Sequence, residues 1–234
     1  MDQHLTPLPR TEPASPDRLR PVAPGLWACA DEPLGGPANT CGFLLERAAG
    51  NVFVYSCSQF DPVADHIDEL GGVSRILLNH MDEATRHVTR MARHFEARVH
   101  AHVEEVAACH ERGVEDIEPL AGDTRFAEDL AAIHAPGHTR GTTAYRWHNE
   151  ADGRTYLFTG DTFTNFTIDR FPAVLAFHPY DDEVEDMRAT LDRLRDVDSD
   201  VLVPGLARGR IDAYPWTPDQ RRALMDHAAA QLQD

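Results

Sequence analysis

Short apolar runs closed by turn residues alternate along this chain with stretches whose apolar positions recur at helical spacing. Gly25-Leu26-Trp27-Ala28-Cys29, Thr40-Cys41-Gly42-Phe43-Leu44-Leu45 and Asn51-Val52-Phe53-Val54-Tyr55 read as three strands of a meander. Asp61-Pro62 then opens a helix, with Asp61 as N-cap and Pro62 at the first helical position. Val63, Ile67 and Leu70 form its inner stripe, and Gly71-Gly72 ends it. Arg75 to Leu78 is the next strand. Ala84, Val88, Met91, Ala92 and Phe95 predict a helix from Asp82 to about Phe95. Arg98 to Ala101 reads as a short strand and Val103 to Cys109 as a helix. Strand and helix alternate in this half, which argues for α/β rather than all-β.

The second half continues the pattern. Ala131 to Ala135, Thr142 to Trp147 and Thr155 to Thr159 are strands, the last two flanking a turn at residues 149–153. Asp182 to Val197 is an amphipathic helix with Val184, Met187, Leu191 and Leu194 inward. Its acidic start, Asp181-Asp182-Glu183, suits the positive end of a helix dipole. Asp200 to Pro204 is a buried strand, and Thr217-Pro218-Asp219-Gln220 is a capping box for the last helix. Residues 1–21 carry prolines and few large apolar groups, an extended, partly mobile arm. Residues 22–234 form a single domain, with enough apolar residues (42%) for a sizeable core.

Charge narrows the partners. Acidic residues outnumber basic ones 39 to 22, giving a formal charge of −17. That field repels nucleic-acid phosphates and anionic membranes, so neither is expected, and a small molecule is the expected substrate. Every basic residue is an arginine, which excludes lysine Schiff-base chemistry. The four cysteines, Cys29, Cys41, Cys57 and Cys109, show no close-paired spacing, which argues against a zinc ribbon or thioredoxin motif. There is no basic-then-apolar leader and no run of membrane-spanning length, so a cytoplasmic protein with reduced thiols is expected. Oligomeric state is not legible.

The candidate chemistry lies where strands stop. Ile76-Leu77-Leu78-Asn79-His80-Met81-Asp82 reaches a histidine at a strand end, and Ala135-Pro136-Gly137-His138-Thr139 and Phe158-Thr159-Gly160-Asp161 follow far downstream. Two histidines and one or two carboxylates on short loops are a donor set for a single transition-metal ion. The order and spacing of these motifs, from about Val22 to the C-terminus, resemble the metallo-β-lactamase superfamily. The resemblance implies a four-layer αββα sandwich of two mixed β-sheets flanked by helices, with the site at one edge.

The family's H-x-H-x-D-H motif is degenerate here. His80 keeps its first position, Asp82 stands at the second histidine, and Ala84 and Thr85 replace the aspartate and third histidine. Leu206 stands at the last ligand position, and Tyr55 where a preceding strand usually ends in aspartate. Tyr55 and Cys57 read as volume fillers. The resemblance therefore implies one surviving site at His80, His138 and Asp161, with Asp82 as a fourth ligand, and loss of the second site. Asp82 has a competing reading as a helix N-cap, which its place before a helical run favours. It is also the only local candidate for a catalytic proton carrier. His87 is placed to pair with Asp82, and His178 and Arg170 to reach the pocket mouth, whereas His100, His102, His110 and His134 read as ordinary structural or solvated residues.

Three functional readings stay open. The first is a metal-dependent hydrolase-like enzyme with at most one ion, zinc, iron or manganese. The second is a mononuclear non-haem iron oxygenase acting on a thiol or persulfide. Persulfide dioxygenases of the same superfamily resemble this chain in the His80, His138 and Asp161 positions. The third is a metal-free binding or scaffold protein.

Overall fold

The computed structural model describes residues 5–35, 38–165 and 171–232. The chain runs through β1 (Arg20–Ala23), β2 (Leu26–Ala28), β3 (Glu32–Gly35), β4 (Ala38–Thr40), β5 (Phe43–Leu45), β6 (Val52–Val54), α1 (Phe60–Glu69), β7 (Arg75–Leu77), α2 (Arg86–Phe95), β8 (Arg98–His102), α3 (Val106–Glu111) and β9 (Ile117–Leu120). It continues through β10 (Thr124–Arg125), β11 (Leu130–His134), β12 (Thr143–Asn149), β13 (Arg154–Gly160), α4 (Glu183–Arg195), β14 (Val201–Pro204), β15 (Leu206–Arg208), β16 (Tyr214–Pro215) and α5 (Pro218–Gln231).

Two mixed sheets result, one ordered β1-β2-β5-β6-β7-β8-β9 and the other β10-β11-β12-β13-β14-β16. Phe43 of the first meets Phe158 of the second edge to face at 5.7 Å, so aromatic rings fill the space between the sheets. Val63 and Ile67 of α1 and Val88 and Met91 of α2 are buried with the first sheet. Met187 and Leu191 of α4 and Leu224 and Met225 of α5 are buried with Ala144, Leu157 and Leu202 of the second. Each buried valine, leucine, isoleucine or methionine among them contributes about 1.5–3 kcal/mol by leaving water. The result is the αββα sandwich.

Strand direction sets where loops emerge. β6, β7, β8 and β9 are mutually parallel, as are β13 and β14, and β11 and β13 are both antiparallel to β12. The loops after β11, β13 and β14 therefore leave the second sheet at one edge, where they meet the loop after β7.

Several elements depart from the sequence reading. α1 begins at Phe60 with Gln59 as N-cap, so Asp61 sits in the first turn rather than capping it. The helix expected from Asp82 divides into a 3-10 turn, Met81–Glu83, and α2. Thr40–Leu45 divides into β4 and β5. Between them, a Cβ at Gly42 would lie 2.5 Å from the Phe53 ring and from the Ser56 carbonyl. β3, β4 and β15 form a small third sheet that the sequence did not suggest. The proline-rich arm is anchored: Leu5 and Leu19 are buried, and the Leu8 amide donates to the Ala213 carbonyl. Cys29 and Cys57 form a disulfide across 28 residues, so the expectation of reduced thiols holds only for the buried, free Cys41 and Cys109. No helix among the described residues is long and apolar enough to cross a membrane.

Candidate metal centre

His80 is delivered by a strand with no freedom to wander. Ile76, Leu77 and Leu78 are completely buried, and the chain then turns through Asn79 into extended backbone at His80. Two buried glutamates hold the turn. Glu83 accepts from the Asn79 amide at 2.6 Å, and Glu105 accepts from the Met81 amide at 2.8 Å. The second oxygen of Glu105 accepts from the Gly141 amide at 2.7 Å, which ties this turn to the loop carrying His138.

His138 follows Gly137, whose φ of +133° and proximity to α4 exclude a side chain: a Cβ there would lie 2.7 Å from the backbone of Met187. The Thr139 amide donates to the Thr142 hydroxyl and closes the loop. His138 Nδ1 lies 3.2 Å from the Val174 carbonyl and His80 Nδ1 lies 3.0 Å from Asn79 Oδ1. Each acceptor takes the Nδ1 proton and leaves the Nε2 lone pair free for an ion, as a metal-binding histidine requires.

Asp161 is fixed by the same asparagine. Its amide donates to Asn79 Oδ1 at 3.1 Å, while Asn79 Nδ2 donates to the Thr143 carbonyl at 2.6 Å. The preceding Gly160, at φ +55°, packs so closely that a Cβ would fall 1.9 Å from the Asn79 side chain. Asp161 Oδ2 lies 3.8 Å from Nε2 of both His80 and His138. Ligand atoms of His80, Asp82 and His138 lie within 4.8 Å of one another. An ion with tetrahedral bonds of about 2.1 Å separates its donors by about 3.4 Å, and the 3.8 Å contacts of Asp161 with the two imidazoles come within a few tenths of an ångström of that spacing.

The electrostatics favour such an occupant. Burial, then the neighbouring His138, holds His80 well below the usual imidazole range. Burial brings His138 down to about 4. Burial, then Asp82, pushes Asp161 up to about 7. Burial likewise raises Glu83 well above the carboxylate range. His138 Nε2 is buried without a hydrogen-bond partner. Neutral imidazoles, a frustrated carboxylate and an orphaned lone pair are the complement of a divalent cation.

The residues singled out in the sequence divide clearly. His80, Asp82, His138 and Asp161 converge. Asp82 makes no capping bond; its carboxylate pairs with Arg112 at 2.8 Å and lies 3.8 Å from His80 Nε2. His178 lies 3.4 Å from Asp82, a residue of the cavity wall, and does not itself line the cavity. Among the described residues no bond joins His87 to Asp82; its neighbour is Arg86. Arg170 lies outside the described residues. Ala84 and Leu206 are buried and offer no ligand atom, and Thr85 Oγ1 is buried without a partner. Asn79, Glu83 and Glu105 were missed. The only signal for Asn79 was its place between an apolar strand and a histidine, and Glu105 sits among ordinary helical charges.

Comparison with known proteins shows the family and the fold. The model of the metallo-beta-lactamase superfamily matches residues 80–206, more than half of the chain. No curated protein matches. Among solved structures, the chain resembles a metallo-beta-lactamase family protein from Thermus thermophilus, with TM-score 0.64 and 19% identity over 89% of this chain and 79% of that one. It also resembles a HARLDQ-motif mutant of a metallo-beta-lactamase from Cronobacter sakazakii, with TM-score 0.62 and 19% identity over 91% of this chain and 94% of that one. At these identities the solved structures speak to the fold alone. By the family match over more than half of its length, the chain belongs to the metallo-beta-lactamase superfamily.

Proposed function

We propose that the protein is a metal-dependent hydrolase-like enzyme that holds at most one divalent transition-metal ion on His80, His138 and Asp161, with Asp82 beside it. The observation that carries this reading is the orphaned, fully buried Nε2 of His138, which shares the Asp161 carboxylate with His80. When bound, the ion supplies Lewis-acid polarisation of a carbonyl or ester oxygen and lowers the pKa of water. Zinc suits two imidazoles and a carboxylate, and iron or manganese suit them too. The second ion of a two-metal hydrolase has no ligands at Ala84 and Leu206.

The chain's own residues set the limits of the reaction. Asp82 is the proton carrier nearest the substrate side, with a side chain 36% exposed. Its pairing with Arg112 holds one face of the carboxylate away from a reacting water, so turnover is slow. The substrate is a small molecule, in keeping with a cavity of about 870 Å³ over the site, lined from both halves of the chain. The same triad also supports the iron-oxygenase reading, because two imidazoles and Asp161 leave coordination positions open.

The test is elemental analysis of the full chain purified without added metal, followed by titration with Zn(II), Fe(II) and Mn(II). About one equivalent is expected in the wild type. His138→Ala and Asp161→Ala are each expected to lose it. Bound iron with oxygen uptake on a low-molecular-weight persulfide would select the oxygenase. Failure to bind any of the three ions would leave the metal-free binding protein.

A further inference from the structure

Asp82 is held from behind. Its Oδ1 accepts from Arg112 Nη2 at 2.8 Å and lies 3.4 Å from His178 Nε2, while its Oδ2 lies 3.8 Å from His80 Nε2. The two oxygens of one carboxylate thus have different partners, Oδ1 two nitrogen groups and Oδ2 the metal centre. Asp82 lines the cavity over that centre, and neither Arg112 nor His178 does. The guanidinium stands on the far side of the carboxylate from a bound substrate.

α3 brings Arg112 there. The 3-10 turn that leads into it, Val103–Glu105, ends on the glutamate that accepts from the Met81 amide. α3 then runs from Val106 to Glu111, with Cys109 completely buried, and Arg112 is its C-cap residue. Arg112 Nη1 donates to the Ala108 carbonyl at 3.4 Å, which lays the side chain along the helix. One short helix therefore grips the turn after His80 twice, at Met81 from its start and at Asp82 from its end.

The second grip matters because an aspartate is a loosely defined ligand on its own. A histidine in its place offers one outward ring nitrogen, whereas a carboxylate offers either oxygen or both. Rotation about the last torsion of an aspartate is broad and exchanges the two. Asp82 is also partly exposed, so packing alone does not choose between them.

Taking the mononuclear site proposed above as given, we infer that Arg112 is a positioning residue of the metal centre: by occupying Asp82 Oδ1 it presents Oδ2 alone to the ion. The aspartate at the second ligand position then serves as a single-oxygen donor. His178 supports the same oxygen from the segment before α4.

The test is a double-mutant cycle on zinc affinity, measured by chelator competition in full-length wild type, Arg112→Met, Asp82→Ala and the double variant. Arg112→Met is expected to bind zinc about tenfold more weakly. In the Asp82→Ala background, where His80, His138 and Asp161 remain, the same change is expected to weaken binding by no more than about twofold. The guanidinium also repels the cation directly, but its side chain is 33% exposed, so water screens that repulsion. The repulsion is present in both backgrounds, and the cycle removes it. Arg112→Lys keeps a charge and a donor without the planar fork and is expected to recover part of the loss. Cobalt(II)-loaded protein gives a signature that a merely structural role would not move: the visible absorption of Arg112→Met should shift towards that of Asp82→Ala. The thermal midpoint is expected to change little, because the ion pair is partly exposed on both sides. Wild-type affinity in Arg112→Met, or an equal loss in both backgrounds, would overturn the inference.

The hydrolase reading fails separately. A coupled loss of zinc affinity, with no turnover of phenyl butyrate esters or thioesters by the zinc-loaded wild type, sinks the hydrolase and supports Arg112 as a positioning residue. Ester turnover with independent effects of the two substitutions does the reverse. A wild type that binds neither zinc nor cobalt overturns both.

Discussion

The hydroxyl of Tyr55 accepts a hydrogen bond from the Gly160 amide at 2.7 Å and donates one to the Val203 carbonyl at 3.2 Å. Tyr55 does this from the end of β6, across the sandwich, with a left-handed φ of 72° that a tyrosine seldom adopts. It is completely buried, and burial raises its pKa well above the usual phenol range, so it acts as a neutral hydroxyl. The residue that looked like filler at a degenerate position thus fixes the backbone next to Asp161. Tyr55→Phe keeps the ring and strands two buried backbone groups. It is expected to cost about 2–4 kcal/mol in urea denaturation. Zinc affinity, read by competition with a chromophoric chelator, is expected to fall about tenfold.

Asn79 joins the two halves of the centre. One side-chain oxygen faces both His80 Nδ1 and the Asp161 amide, and its amide group reaches Thr143. Asn79→Ala removes all three contacts inside the core. Zinc affinity is expected to drop about 10- to 100-fold. Asn79→Asp keeps an acceptor for His80 and Asp161 and loses the donor to Thr143. It is expected to retain more affinity than Asn79→Ala, and equal affinities would refute the positioning role.

Glu105 supports both histidine loops from beneath by accepting from Met81 and Gly141. It is 2% exposed, so these charge-assisted bonds are shielded from water. In Glu105→Gln one side-chain oxygen becomes an NH2 group and faces an amide donor. A loss of about 2–3 kcal/mol is expected in chemical denaturation. Zinc affinity should weaken as well, because the loops of His80 and His138 lose their common anchor. A stability loss with unchanged affinity would make Glu105 purely structural.

Most of the layer order was legible because the apolar periodicities are strong. The runs Val52–Val54, Ile76–Leu78 and Val201–Val203 are buried throughout, and such runs announce interior strands. Short motifs with rigid geometry were legible too: Pro136-Gly137-His138 needs its glycine where α4 passes, and Gly160 needs its own against Asn79. What stayed hidden depends on contacts far apart in sequence. The Asp82 carboxylate looked like a cap, yet Arg112 from 30 residues downstream takes it. Nothing local marks Glu105 as the anchor for residues 24 and 36 positions away. The Cys29–Cys57 pairing and the β3–β4–β15 sheet follow from the folded topology, and spacing carries no sign of either.

His100 sets an acid limit on the fold. It lies in β8, is 5% exposed, and packs edge to face on Phe126 at 5.1 Å. Both ring nitrogens are buried without hydrogen-bond partners. Burial brings its pKa down to about 4, opposed by Glu118, whose carboxylate lies 3.6 Å away on the paired strand. The unfolded chain protonates this imidazole near pH 6.5, whereas the folded chain resists until about pH 4. The stability associated with His100 is therefore complete above about pH 6.5 and is lost as the pH falls towards 4. Between pH 7.5 and 4.5 this amounts to about 2–3 kcal/mol. His100→Leu preserves the apolar contact with Phe126 and removes the titrating group. Urea denaturation at the two pH values should show the variant losing about 2–3 kcal/mol less than the wild type on acidification. An equal loss in both proteins would assign the acid sensitivity to other groups.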